Sequence, residues 1–198
     1  MTYLALGDFL DVVSKSGSPK ATKVAQIKNR GPYQPATDFY KQLREGLVAT
    51  HKDGKSKSSL QAILAKVGQK KHANYQTAIN GYRKWWGNKS PAWFDPPSAV
   101  YSKNGFDIGV NPELGLEFNG QRHVIKLYLK DEPLTKLRID LITALMTHVL
   151  AASVGKYSIM SVLDVRRAKL ISGAGAPSAL IPIVDAELAY IATLWPSL

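Results

Sequence analysis

The chain has 198 residues, no cysteine and a formal net charge of +11. That length makes one large domain or two small ones; the lack of cysteine excludes disulfides and thiolate metal sites and fits a reducing cytoplasm. Hydrophobic residues make up 45% and charged residues 21% of the chain, too apolar a balance for a disordered polymer.

Taken in chain order, the first half reads as helices separated by breakers. Tyr3 to Ser14 fits a short helix with Leu4, Phe9, Leu10 and Val13 on its apolar side, ended by Ser16-Gly17-Ser18-Pro19. Asp8 and Asp11 interrupt this stretch, and no basic n-region precedes it, so it does not read as a signal peptide. Ala21 to Lys28 fits a second short helix. Gly31-Pro32-Tyr33 and Gln34-Pro35 mark a turn and an extended entry. Thr37-Asp38 has the character of an N-cap, followed by Phe39, Leu43, Leu47 and Val48 at helical spacing. His51 to Ser58 is a Lys/Gly/Ser loop. Ser59 opens a helix with Leu60, Ile63, Leu64 and Val67 on one face, and Gly68 closes it. A further helix runs from about His72 to Trp86. Because Gly68 can form a turn, these last two helices are also a candidate helix-turn-helix.

The second half changes period. After the linker-like Trp93-Phe94-Asp95-Pro96-Pro97, alternation predicts short strands near Ala99–Ser102, Phe106–Val110, Leu114–Phe118 and Arg122–Lys130. Asn104-Gly105 and Asn119-Gly120 are hairpin turns, since Asn-Gly accepts positive φ at both central positions. Leu134 to Ala151 reads as a buried amphipathic helix, Tyr157 to Val165 as an apolar strand, and Lys169–Ser172 as a returning strand. Gly173-Ala174-Gly175-Ala176-Pro177 reads as a loop. It lacks the Lys and Ser/Thr of a phosphate-binding loop. A last helix, Ser178 to Trp195, is limited or broken by Pro182. No unbroken apolar run approaches the ~18 residues of a membrane span, so no membrane association is expected. The expected class is α+β: a basic helical region, 1–91, then an α/β region, 92–198, with a mixed sheet flanked by helices. The two also fit one continuous domain with its core over 72–172.

The charge is distributed unevenly. Residues 1–91 hold 16 Lys+Arg against 5 Asp+Glu, whereas residues 92–198 hold 10 against 10. A concentrated positive field attracts a polyanion. The expected phosphate contacts are Lys52, Lys55 and Lys57 in the loop and Lys70, Lys71, Arg83, Lys84 and Lys89 in and around the helix that follows. Tyr75, Tyr82, Trp85 and Trp86 lie among them, as core residues or as stacking platforms for bases. On the strand Arg122–Lys130, one face carries Arg122, Val124, Lys126, Tyr128 and Lys130. That face is either solvated or an extension of the nucleic-acid surface.

From His72 onward the order helix, three strands, helix, strand resembles the core of the PD-(D/E)XK, restriction-endonuclease-like superfamily, an αβββαβ arrangement. The resemblance implies a carboxylate on one strand and an acid-x-lysine on the next, holding Mg²⁺ and an activated water. Glu117 would be the first acid and Asp107 a second metal ligand, with Lys126 or Lys130 as the lysine. The acid-x-lysine position departs from the pattern, because Val124-Ile125-Lys126-Leu127-Tyr128 contains no acid. Glu117 has a second reading as a surface carboxylate paired with Lys126 across the hairpin. The four histidines, His51, His72, His123 and His148, have no partners at metal-ligand spacing. Three functions follow as expectations: a nucleic-acid-binding protein needing no cofactor, a divergent Mg²⁺-dependent nuclease, or a module that docks on an acidic protein.

Overall fold

The computed structural model describes residues 1–31, 34, 38–155, 157–173 and 177–198. The expected turns at Pro32–Tyr33 and Pro35, the cap residue Thr37 and the loop residues 174–176 lie outside them. The described chain forms an α+β fold with six α-helices and eight strands.

The helices of the first half are α1 (Leu6–Val13), α2 (Gly17–Lys28), α3 (Lys41–Lys52) and α4 (Gln69–Trp86). Before α1, Thr2–Ala5 is a strand, β1, where the sequence suggests helix. It pairs in parallel with β4 (Phe106–Val110), Leu4 facing Ile108. A partner about a hundred residues away overrides the local preference. Pro19 does not separate α1 from α2 by itself; it sits inside the first turn of α2, where proline is tolerated. Lys57–Lys66 is a 3-10 helix rather than an α-helix, so the helix-turn-helix is not formed, and Gly68 becomes the extended N-cap of α4.

The remaining strands are β2 (Ala92–Phe94), β3 (Ala99–Lys103), β5 (Leu114–Phe118), β6 (Gln121–Tyr128), β7 (Ile159–Asp164) and β8 (Lys169–Ser172). They form two sheets, ordered β1-β4-β3 and β2-β5-β6-β7-β8. Both Asn-Gly turns take positive φ at both residues: 51° and 80° at Asn104-Gly105, 52° and 71° at Asn119-Gly120. The five-stranded sheet is antiparallel except between β6 and β7, which run parallel through the crossover helix α5 (Lys136–Val154). The expected linker at Trp93-Phe94 is instead the edge strand β2.

Successive residues of β6 point to opposite faces of this sheet. Ile125 and Leu127 pack with α3, the 3-10 helix and α4; Val124 and Tyr128 pack with α1, α5 and the last helix, α6 (Pro177–Leu194). Each core draws on residues from both sides of position 91, so the break in charge is not a break in packing. α5 touches β7 on one side and β3 and α6 on others, which requires it to be apolar nearly all round. α6 continues through Pro182.

By length and hydropathy, two stretches do reach the range of a membrane span, contrary to expectation: Lys136–Val154 and Ala179–Ser197, with mean hydropathy 1.5 and 1.3. For the first, enclosure between the sheets accounts for the composition.

Candidate nucleic-acid interface

Residues 54–94 contain eight cations and no acid: Lys55, Lys57, Lys66, Lys70, Lys71, Arg83, Lys84 and Lys89. This stretch holds the 3-10 helix and α4, which together cover one face of the five-stranded sheet. α4 buries Tyr75, Ala78, Ile79, Tyr82, Trp85 and Trp86 against that sheet and leaves Lys70, Thr77, Asn80, Arg83 and Lys84 exposed. The aromatic residues are therefore core, not stacking platforms. At 100° per residue, Lys70 and Lys84 project within about 40° of one another and lie about 21 Å apart along the axis.

Two contacts fix α4 in this position. A Cβ on Gly81 would fall inside contact distance of the Val165 carbonyl oxygen and 2.9 Å from that of Arg166, so only glycine permits this approach of the helix to the β7–β8 turn. Arg166, with its side chain 9% exposed, donates to the Leu129 carbonyl oxygen (3.1 Å), to Asp131 (3.1 Å) and to Asn74 Oδ1 of α4 (2.5 Å).

Three of the expected cations meet in one groove of about 530 Å³ beyond the C-terminus of α4. Lys55, Lys57 and Lys89 line it with His51, Ser56, Trp86 and Asn88. Lys57 Nζ donates to the Gly87 carbonyl oxygen (2.6 Å) and Lys89 Nζ to that of Trp85. Both lysines thus satisfy carbonyls left over at the negative end of the helix. Lys55 pairs with Asp53 (2.7 Å), and Lys52, at the end of α3, approaches Asp95 (3.6 Å). Beneath the groove His51 is 5% exposed, stacked on Trp86 at 4.2 Å between ring centroids, with Nε2 2.6 Å from the Tyr82 hydroxyl. Burial pulls the His51 pKa down to about 4 and pushes that of Tyr82 up, so both are neutral near pH 7.

The other end of α4 is electrostatically unusual. Lys70 and Lys71 occupy its first turn, which holds no acid, although the helix dipole disfavours cations there. Lys71 Nζ lies 5.3 Å from the Phe39 ring centroid. Among the described residues, Lys66, Lys70, Arg83 and Lys84 have no carboxylate partner. Lys66 is inconspicuous in the sequence because it sits among Ala and Leu. Its position in an acid-free run was the signal that could have found it.

Lys126, Tyr128 and Lys130 do not join this surface. They lie on the opposite face of the sheet, in a cleft of about 520 Å³ between α1, β6 and α5. Nor is that face a solvated one. Val124 is fully buried, and Tyr128 is 8% exposed, donating to the Glu132 carbonyl oxygen (3.0 Å). Lys130 Nζ pairs with Asp11 (2.9 Å), as does Arg138 Nη2 (2.9 Å). Lys126 Nζ pairs with Glu113, 2.6 Å away, not with Glu117.

The expected metal ligands are not brought together. Asp107 is on β4 in the three-stranded sheet and accepts a bond from Ser102 Oγ (2.6 Å). Glu117 is on β5 in the other sheet, with its side chain 54% exposed and Oε2 3.9 Å from Arg122 Nε. Lys126 and Lys130 are not beside either. Among the described residues no group of three or more His, Asp or Glu side chains could hold a metal ion. His123 faces Ser161 Oγ at 3.3 Å and stacks on Phe118.

No family model, curated protein or solved structure matches the chain.

Proposed function

We propose that this protein binds nucleic acid along the surface formed by the 3-10 helix, α4 and the groove at its C-terminus. One observation carries the reading: eight cations and no acid occupy residues 54–94, and four of the cations lack a carboxylate partner among the described residues. A surface of this kind carries unbalanced positive charge, and Lys70 and Lys71 add to it where the fold itself disfavours cations. The Lys70–Lys84 separation of about 21 Å lets the two ends of α4 reach different phosphates of one duplex. Buried aromatics leave phosphate contact as the main source of affinity, so the binding would depend little on sequence.

The test is fluorescence anisotropy with labelled single- and double-stranded DNA and RNA over a salt series from about 50 to 200 mM. Four phosphate contacts give a log–log slope of roughly −3 to −4. Absence of binding at the lowest salt, or an affinity independent of salt, overturns the reading and leaves the surface for an acidic protein.

A further inference from the structure

We propose that the cleft between α1, β6 and α5 binds a small amphipathic organic anion, an acid group carried on an alkyl or aryl body. The cleft faces away from α4, so the inference does not depend on the nucleic-acid reading. Its volume of about 520 Å³ suits a small ligand. Its apolar part is formed by Leu6 and Leu10 of α1, Leu129 after β6 and Ile142 of α5, all about 95% buried or more.

The sign of the ligand follows from Lys126, whose ammonium has a donor to spare. Four cations, Arg44, Lys126, Lys130 and Arg138, and one acid, Glu113, line the cleft, and Arg44 is paired with Asp38 (2.5 Å) beside it. Lys130 and Arg138 are held by Asp11 and Glu132, which are not part of the lining. Lys126 is the recognition group. Its ammonium spends two bonds, on the Asn111 carbonyl oxygen (2.7 Å) and Glu113 Oε1 (2.6 Å), and an ammonium has three donors. Glu113 is in turn fixed by the Leu127 N–H, which donates to Oε2 at 2.7 Å, so Lys126 is pre-positioned rather than free to swing. A ligand placing its acid group at Lys126 would lay its body on the leucines.

Gly7 supplies the test. It lines the cleft, and a Cβ built on it meets nothing within 4 Å, so a side chain there enters open space without disturbing packing. The full-length ¹⁵N-labelled protein is titrated with octanoate, 1-octanol and inorganic phosphate and followed by amide chemical shifts. Octanoate should give saturable shifts at Gly7, Leu10 and residues 126–129, with 1-octanol and phosphate each weaker by about tenfold or more, because one charged hydrogen bond or the whole apolar body is lost. Gly7→Phe should abolish the octanoate shifts and leave the rest of the spectrum in place. Lys126→Gln, which keeps a bond to Glu113, should weaken octanoate by about tenfold and leave 1-octanol unchanged; it decides the matter if Gly7→Phe does not fold. The proposal is overturned by absent or scattered shifts, by equal affinity for octanoate and either control, or by full octanoate binding in both variants.

Discussion

Glu113 and Lys126 face one another across the β5–β6 hairpin, and the carboxylate that holds the ammonium at 2.6 Å also accepts the backbone N–H of Leu127 at 2.7 Å. Both side chains are mostly buried, 14% and 23% exposed. Glu113→Ala would leave a cation and an amide without their partner, a loss of about 2 kcal/mol. Glu117, more than half exposed and 3.9 Å from its nearest cation, should change stability by less than about 0.5 kcal/mol when replaced by alanine. Urea unfolding of the two variants should rank them in that order; equal losses would contradict the pairing.

Gly81 lets α4 lie against the turn between β7 and β8. Gly81→Ala gains a helix-favouring residue but drives a methyl into the Val165 carbonyl. Overpacking of this kind costs about 1–3 kcal/mol, more than the helix propensity returns. The measurement is the urea midpoint at constant m; a stabilised variant would show that the helix can move outward freely.

His51 makes stability depend on pH. Its pKa lies at about 4 when folded, against about 6.5 in an unfolded chain, so the folded state binds fewer protons between these values. Its contribution is therefore complete above about pH 6.5, is lost as the pH falls, and is gone below about pH 4. The full difference is on the order of 3 kcal/mol, and about 2 kcal/mol has been lost by pH 5. His51→Asn should be less stable at pH 7 and flatter between pH 7 and pH 5. Equal slopes for the two proteins would remove His51 as the source.

Charge reversal of Lys66, Lys70, Arg83 and Lys84 should reduce affinity for a DNA or RNA duplex by about 100-fold or more at low salt and flatten the salt dependence. Lys169, on the edge strand β8, and Lys136 are suitable controls when compared with the double reversal of Lys70 and Lys84, which makes the same total change in charge. Arg138 is not, because a carboxylate there would face Asp11 inside a packed network. Equal losses from test and control sets, measured by anisotropy, would refute a localised surface.

The sequence was most readable where structure is local. Asn104-Gly105 and Asn119-Gly120 dictate their own turns, so the hairpins β3–β4 and β5–β6 emerge almost residue for residue. The apolar recurrence of α5 and the cations of α4 were equally plain. What was hidden depends on distant partners. β1 is a strand only because β4 is beside it. The face of β6 bearing Lys126 looks solvated until α1 and α5 cover it. Glu117 is the acid nearer the hairpin turn, whereas Glu113, just outside β5, is the acid that the ladder sets opposite Lys126. In an antiparallel pair, register rather than distance from the turn selects neighbours.

The parallel pairing of β1 with β4 also bears on how the chain matures. During synthesis Thr2–Ala5 leaves the ribosome about a hundred residues before Phe106–Val110 exist to receive it. Until then the strand has an open edge, and the apolar side of α1 has no α5 to cover it. Such non-local contacts are slow to form and leave surfaces that invite aggregation. A nascent chain thus leaves β1 and α1 waiting for partners made about a hundred residues later, an interval in which a chaperone that holds extended apolar segments can act.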